Sequence, residues 1–158
     1  PDKPQSYKPI THGKIAMYFD SLGKDDGCLR VIPGSHRRPF ADQCWPLYHE
    51  ADEPQSMLFG VADEDVPCVA LETAPGDVIV FTESVFHSAY GSKSGRLQIT
   101  AEYGSNPITE EQIAELHEHH DKFKFAYHPS ESYINSARPR IRRMVSRLVE
   151  LGCTPSPV

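Results

Sequence analysis

Pro75-Gly76-Asp77-Val78-Ile79-Val80-Phe81-Thr82-Glu83-Ser84-Val85-Phe86-His87 is the stretch on which the reading of the fold turns. Pro-Gly-Asp is a turn signal, because proline presets φ and glycine supplies positive φ. The run after it is β-branched or aromatic throughout, which predicts a strand over 78–82. A second short strand is predicted over 86–90, with His87 near its start, and a third over 97–103. Between them lies the polar loop Gly91-Ser92-Lys93-Ser94-Gly95, closed by Arg96 nine residues after the histidine. A turn, a strand, a histidine and an arginine in this order can bring an imidazole and a guanidinium into one barrel. A neutral ring nitrogen suits a metal and a planar guanidinium fork suits a carboxylate. On spacing alone, the reading to be preferred is a hydrogen-bonded strand-end histidine and a surface arginine.

Working outward, residues 14–20 (KIAMYFD) predict another strand, and 21–27 (SLGKDDG) have the glycine and aspartate content of a tight connection. The next run, 28–32, is therefore expected to pair with 14–20 as a hairpin. Pro33-Gly34-Ser35-His36 is a turn, and 37–65 mixes proline, acids and scattered aromatics without sustained period, which predicts a loop excursion with one helical turn. A short strand is predicted over 66–71, and 72–77 turn the chain into 78–82. Short strands at such intervals, punctuated by glycine and proline, indicate a mainly β protein, an antiparallel sandwich or barrel. A parallel sheet would need helices between them.

The pattern changes at Asn106-Pro107. Thr109 with Gln112 forms a capping box, and Glu110 and Glu111 suit the positive end of a helix, so a helix is predicted to about His120. Another is predicted from near Ser136, where Ile141, Met144, Val145, Leu148, Val149 and Leu151 recur at helical spacing before a stop at Gly152. The organisation expected is one partial domain over 1–158, with strands and loops over 1–105 and a helical segment over 106–158.

A chain of 158 residues suits one domain, and 39% apolar against 24% charged residues is neither disordered nor membrane-like in composition. No apolar run reaches the roughly 18 residues of a spanning helix, and no signal peptide is evident. Sixteen basic against 22 acidic residues give a formal charge of −6, which argues against a nucleic-acid partner. Cys28, Cys44, Cys68 and Cys153 form no CxxC pair, which suggests reduced thiols and a cytoplasmic setting. They also lack an adjacent base, so none is expected to be a nucleophile. The chain opens at Pro1, and 1–13 have loop composition, so it is expected to be part of a longer protein.

Tyr18-Phe19-Asp20, followed by Asp26-Gly27-Cys28-Leu29-Arg30-Val31-Ile32-Pro33-Gly34-Ser35-His36-Arg37, closely resembles the signature of the phytanoyl-CoA dioxygenase family of iron(II)- and 2-oxoglutarate-dependent oxygenases. With the Pro-Gly-Asp turn, His87 and Arg96, the resemblance covers 14–37 and 75–103. It implies a double-stranded β-helix (jelly roll, cupin-like) that is N-terminally truncated and carries C-terminal helices. It also implies Fe(II), 2-oxoglutarate as cosubstrate and O2. His87 falls on the distal iron ligand and Arg96 on the residue that grips the far carboxylate of 2-oxoglutarate. Tyr18 shares a strand face with Ala16, which puts it forward for the cosubstrate pocket. The family's other two ligands form a His-x-Asp pair upstream of the Tyr-Phe-Asp strand. Residues 1–13 contain none, so the pair is expected before Pro1 and the chain alone is expected to be inactive. The implied reaction is hydroxylation of a small molecule, coupled to decarboxylation of 2-oxoglutarate to succinate. A halogenase of the same fold and a jelly-roll binding module without catalysis are the alternatives.

Other candidates read as structural. His119-His120-Asp121 is the one literal His-x-Asp, but it follows His87 and falls in a predicted helix, so it reads as a solvated helix end, with His117 and Asp121 at the surface. His36 reads as a turn histidine bonding locally, and His12 and Asp20 as supports at the ends of a strand. Arg138, Arg140, Arg142, Arg143 and Arg147 read as the outer face of an amphipathic helix rather than a phosphate patch.

Overall fold

The structure, a computed structural model, describes residues 10–49, 61–89, 91, 95–123 and 127–155. The chain divides into two compact units, Pro1–Gly104 and Ser105–Val158.

Among the described residues the first unit holds six strands: β1 (His12–Tyr18), β2 (Leu29–Val31), β3 (Val69–Leu71), β4 (Val78–Thr82), β5 (His87–Ala89) and β6 (Gln98–Gly104). They form two antiparallel three-stranded sheets, ordered β4-β1-β6 and β3-β2-β5. The expected hairpin between 14–20 and 28–32 does not form. Both edges of β1 are already taken, Ala16 facing Ile79 on one side and Thr100 on the other. The pairing continues past its end, where Tyr18 donates to the Asp77 carbonyl and Phe19 to the Leu97 carbonyl. Asp20 closes that edge by accepting the Leu97 amide at 2.6 Å. β2 therefore joins the second sheet. A bridge between Leu22 and Thr73 ties the β1–β2 connection to the β3–β4 turn.

Side-chain alternation along β1 turns Ala16 and Tyr18 into a core they share with Leu22 and Cys28, against which Ala70 of β3 and Ile79 of β4 pack. Both sheets thus contribute to one core. Lys14, on the same face of β1, bonds Glu83 at 2.9 Å and Glu102 at 3.1 Å. Burial opposes its charge, but the two carboxylates outweigh that and hold the ammonium above its ordinary pKa.

Within the expected loop, residues 40–49 are helical. Helix α1 (Phe40–His49) buries Ala41 and Cys44, and Trp45 packs against Phe86 with ring centroids 5.9 Å apart. Proline at position 46, inside the helix, removes one amide donor from it. A single 3₁₀ turn follows at Asp63–Asp65; residues 50–60 of the expected excursion lie outside the described residues.

Gly91 marks a close approach between connections. Its φ is 71°, and a Cβ there would stand 2.7 Å from the Asp25 carbonyl oxygen. Gly91→Ala is expected to cost about 2–4 kcal/mol, from left-handed strain plus displacement of backbone. A fall in the urea midpoint at unchanged slope would confirm it; an unchanged midpoint would refute it.

The second unit comprises α2 (Glu110–Lys122), α3 (Glu131–Ile134) and α4 (Pro139–Glu150), with Leu116, Val145 and Cys153 buried. The capping box is present: Thr109 accepts the Gln112 amide, and Gln112 reaches back to the Thr109 amide. α4 ends at Gly152, whose φ of 81° suits a helix stop. Arg138 stands at its N-cap position without a side-chain capping bond, and Arg140, Arg142 and Arg143 line its exposed side while Val145 is buried, as an amphipathic helix requires. No helix among the described residues is long and apolar enough to cross a membrane.

Candidate active site

His87 opens β5, opposite Val31 of β2. Its imidazole meets the Phe81 ring of β4 edge-on at 4.9 Å, a contact between the two sheets. Nδ1 lies 2.7 Å from the Val85 carbonyl oxygen. A carbonyl can only accept, so Nδ1 carries a proton, and in the neutral ring Nε2 presents its lone pair. This is the tautomer of a metal-binding histidine whose second nitrogen is held by the backbone.

Arg96 lies just before β6. Its Nη1 donates to the Gly27 carbonyl, fixing one end of the guanidinium. The side chain lies close enough to Tyr18 for its charge to act on the phenol. Burial pushes the Tyr18 hydroxyl above its ordinary pKa, and Arg96 partly offsets this. The structure thus brings Tyr18 and Arg96 together beside the shared core, with Tyr18 only 3% exposed. His87 sits on the other sheet. Lys93 and Tyr90, in the connection between them, lie outside the described residues.

The supporting residues are placed as follows. His12 accepts through its carbonyl from Thr82 Oγ1 and the Glu83 amide, and Asp20 caps Leu97. His36 is exposed and accepts from Arg37 Nε at 3.3 Å, a side-chain contact rather than the local backbone bond expected. In α2, His119 bonds the Glu115 carbonyl and His120 bonds Asp121. His120 Nε2 also accepts the Thr154 amide, so this nitrogen is engaged within the second unit. Burial pushes the Cys28, Cys44 and Cys153 thiols up, which makes all three poor nucleophiles at neutral pH.

One residue escaped the sequence reading. Ser35, in the turn after β2, is fully buried, and its hydroxyl accepts the Phe86 amide at 2.8 Å. The Pro-Gly-Ser-His turn that holds it was plain in the sequence; its distant partner was not.

A profile of the family described as Phytanoyl-CoA dioxygenase (PhyH) matches residues 2–99. The rat protein named phytanoyl-CoA dioxygenase, peroxisomal, is 27% identical over 92 residues, covering 56% of this chain and 27% of that protein. The chain thus spans about a quarter of the length of that curated relative. The crystal structure of EvdMO1 is 26% identical, covering 62% of this chain and 20% of the other, with a TM-score of 0.41. With well over half of its length matched by the family profile, including both strands that carry the Gly-Cys-Leu-Arg-Val-Ile-Pro-Gly-Ser-His and Pro-Gly-Asp signatures, the chain belongs to the phytanoyl-CoA dioxygenase family.

Proposed function

We propose that this chain is part of an iron(II)- and 2-oxoglutarate-dependent oxygenase that hydroxylates a small-molecule substrate on a jelly-roll frame. The observation that carries the reading is the state of His87: its Nδ1 is committed to Val85, and its Nε2 is the donor that a divalent metal takes. Among the described residues no three His, Cys, Asp or Glu side chains converge on a metal position. His87 fits as one donor, and the reading takes the other two from the His-x-Asp pair that the family resemblance implies. When bound, iron(II) would supply the oxidation of 2-oxoglutarate by O2 that gives succinate, carbon dioxide and the hydroxylated product.

The chain's own residues then divide the remaining work. With Nη1 held by Gly27, Arg96 can turn its other guanidinium nitrogens to the distal carboxylate of 2-oxoglutarate and orient it. Tyr18, kept neutral by burial, can donate its hydroxyl proton to the same carboxylate. The buried core beside them limits water around that ion pair and strengthens it.

The full-length protein, titrated anaerobically with Fe(II) and then 2-oxoglutarate, is expected to develop the visible charge-transfer absorption of an iron–oxoacid chelate. Binding of 2-oxoglutarate with no requirement for iron would overturn the assignment.

A further inference from the structure

Phe86 N–H and Val85 C=O belong to the same peptide plane, and each end of that plane is gripped by a different side chain. At one end, the Phe86 amide donates to Ser35 Oγ at 2.8 Å. At the other, the Val85 carbonyl accepts His87 Nδ1–H at 2.7 Å. The Ser35 hydroxyl proton goes in turn to the Ile32 carbonyl at 2.7 Å. The chain of donors therefore runs in one direction, from imidazole to peptide to hydroxyl to carbonyl. Each bond in such a series polarises the next.

We infer that Ser35 is a positioning residue for His87: by fixing the Val85–Phe86 peptide plane it aims the Val85 carbonyl at Nδ1 and so sets both the tautomer and the direction of Nε2. The inference rests on the proposed role of His87 as a metal donor and adds to it the residue that holds that donor in place. Three observations make Ser35 specific to this task. It is 0% exposed, so no water can substitute as the amide's acceptor. Its own amide bonds the Ile32 carbonyl at 3.2 Å, which closes the turn and leaves the hydroxyl facing β5. The Ile32 amide, for its part, donates to the Phe86 carbonyl at 2.9 Å, so the residue between Val85 and His87 is pinned on both of its peptide planes. Alanine at 35 would remove the grip on the plane that carries the Val85 carbonyl and leave the other intact.

The test uses the full-length protein with Fe(II) as probe and the ring nitrogens of His87 as reporters. In the metal-free parent, nitrogen NMR is expected to show the proton on Nδ1. A parent in which Nε2 carries it would overturn the inference without any variant. Ser35→Ala is expected to give His87 mixed tautomers and to weaken Fe(II) binding about 10- to 100-fold, the usual effect of losing a partner behind a ligand. Ser35→Thr, which keeps the hydroxyl, should restore the Nδ1–H tautomer, and Ser84→Ala, which removes an exposed hydroxyl from the connection between β4 and β5, should leave affinity unchanged. A Ser35→Ala protein with a lower melting temperature but the parental tautomer and iron affinity would reduce Ser35 to a structural residue. If His87→Ala binds iron as the parent does, the metal role of His87 fails instead, and the tautomer measurements still decide what Ser35 does.

Discussion

His87→Ala is expected to weaken Fe(II) binding by more than about 100-fold, beyond what the loss of a supporting partner costs, and to abolish turnover. The size of the effect follows from subtraction. In the proposed site, an iron held by two imidazoles and a carboxylate would lose one of three protein donors, and alanine offers nothing in its place. The substitution also empties the space beside Phe81, where the two rings meet at 4.9 Å. Stability should therefore be followed alongside affinity. Isothermal titration under nitrogen separates the two, because a well-folded variant that binds iron like the parent would show that the metal sits elsewhere.

Arg96→Lys is expected to leave iron bound and to weaken 2-oxoglutarate by tens- to thousands-fold. Lysine keeps the charge but loses the planar fork, and truncating one partner of a desolvated charge pair costs about 2–5 kcal/mol. The bond from Nη1 to the Gly27 carbonyl sharpens the expectation. A guanidinium can hold a carbonyl with one nitrogen and a carboxylate with others, whereas a single ammonium must divide its three protons between them. The charge-transfer absorption of the ternary complex reads the affinity directly, and Lys93→Ala serves as the charge control from the preceding loop. Parental 2-oxoglutarate affinity in Arg96→Lys, with loss in Lys93→Ala, would move the anchor to Lys93.

The strands were legible because their residues were punctuated by turns: 78–82 was read with the bounds observed, and the capping box placed the start of α2 within one residue. Which face of a strand looks inward was harder to read. On β4, Val78 and Val80 are exposed while Ile79 and Phe81 are partly buried, so apolar residues stand on both faces and alternation is silent. The hairpin expected between β1 and β2 failed for a non-local reason. Sequence neighbours usually pair, but β1 has two edges, and partners from far along the chain fill both. α1 was hidden by Pro46, which weighs against a helix in any propensity sum, although Ala41, Cys44 and Trp45 already show the spacing of a buried stripe. For the candidate site, it was the family resemblance, not residue types and order alone, that put forward His87 and Arg96, with Tyr18 beside them by strand alternation. The tautomer of His87, the Gly27 contact of Arg96 and the whole role of Ser35 depend on backbone atoms, which no residue letter records.

The central position of β1 also sets the order in which this sheet can assemble. Its partners are β4 and β6, and the second of them ends only at Gly104. During synthesis β1 leaves the ribosome with both hydrogen-bonding edges bare, and closing two long loops is slow compared with forming a local hairpin. Until β6 has emerged, the Ile15-Ala16-Met17 run is a template for pairing with another chain. Early termination before Gln98, where β6 begins, would make that state permanent, so nascent chains cut short there should be ready clients for chaperones and prone to aggregate.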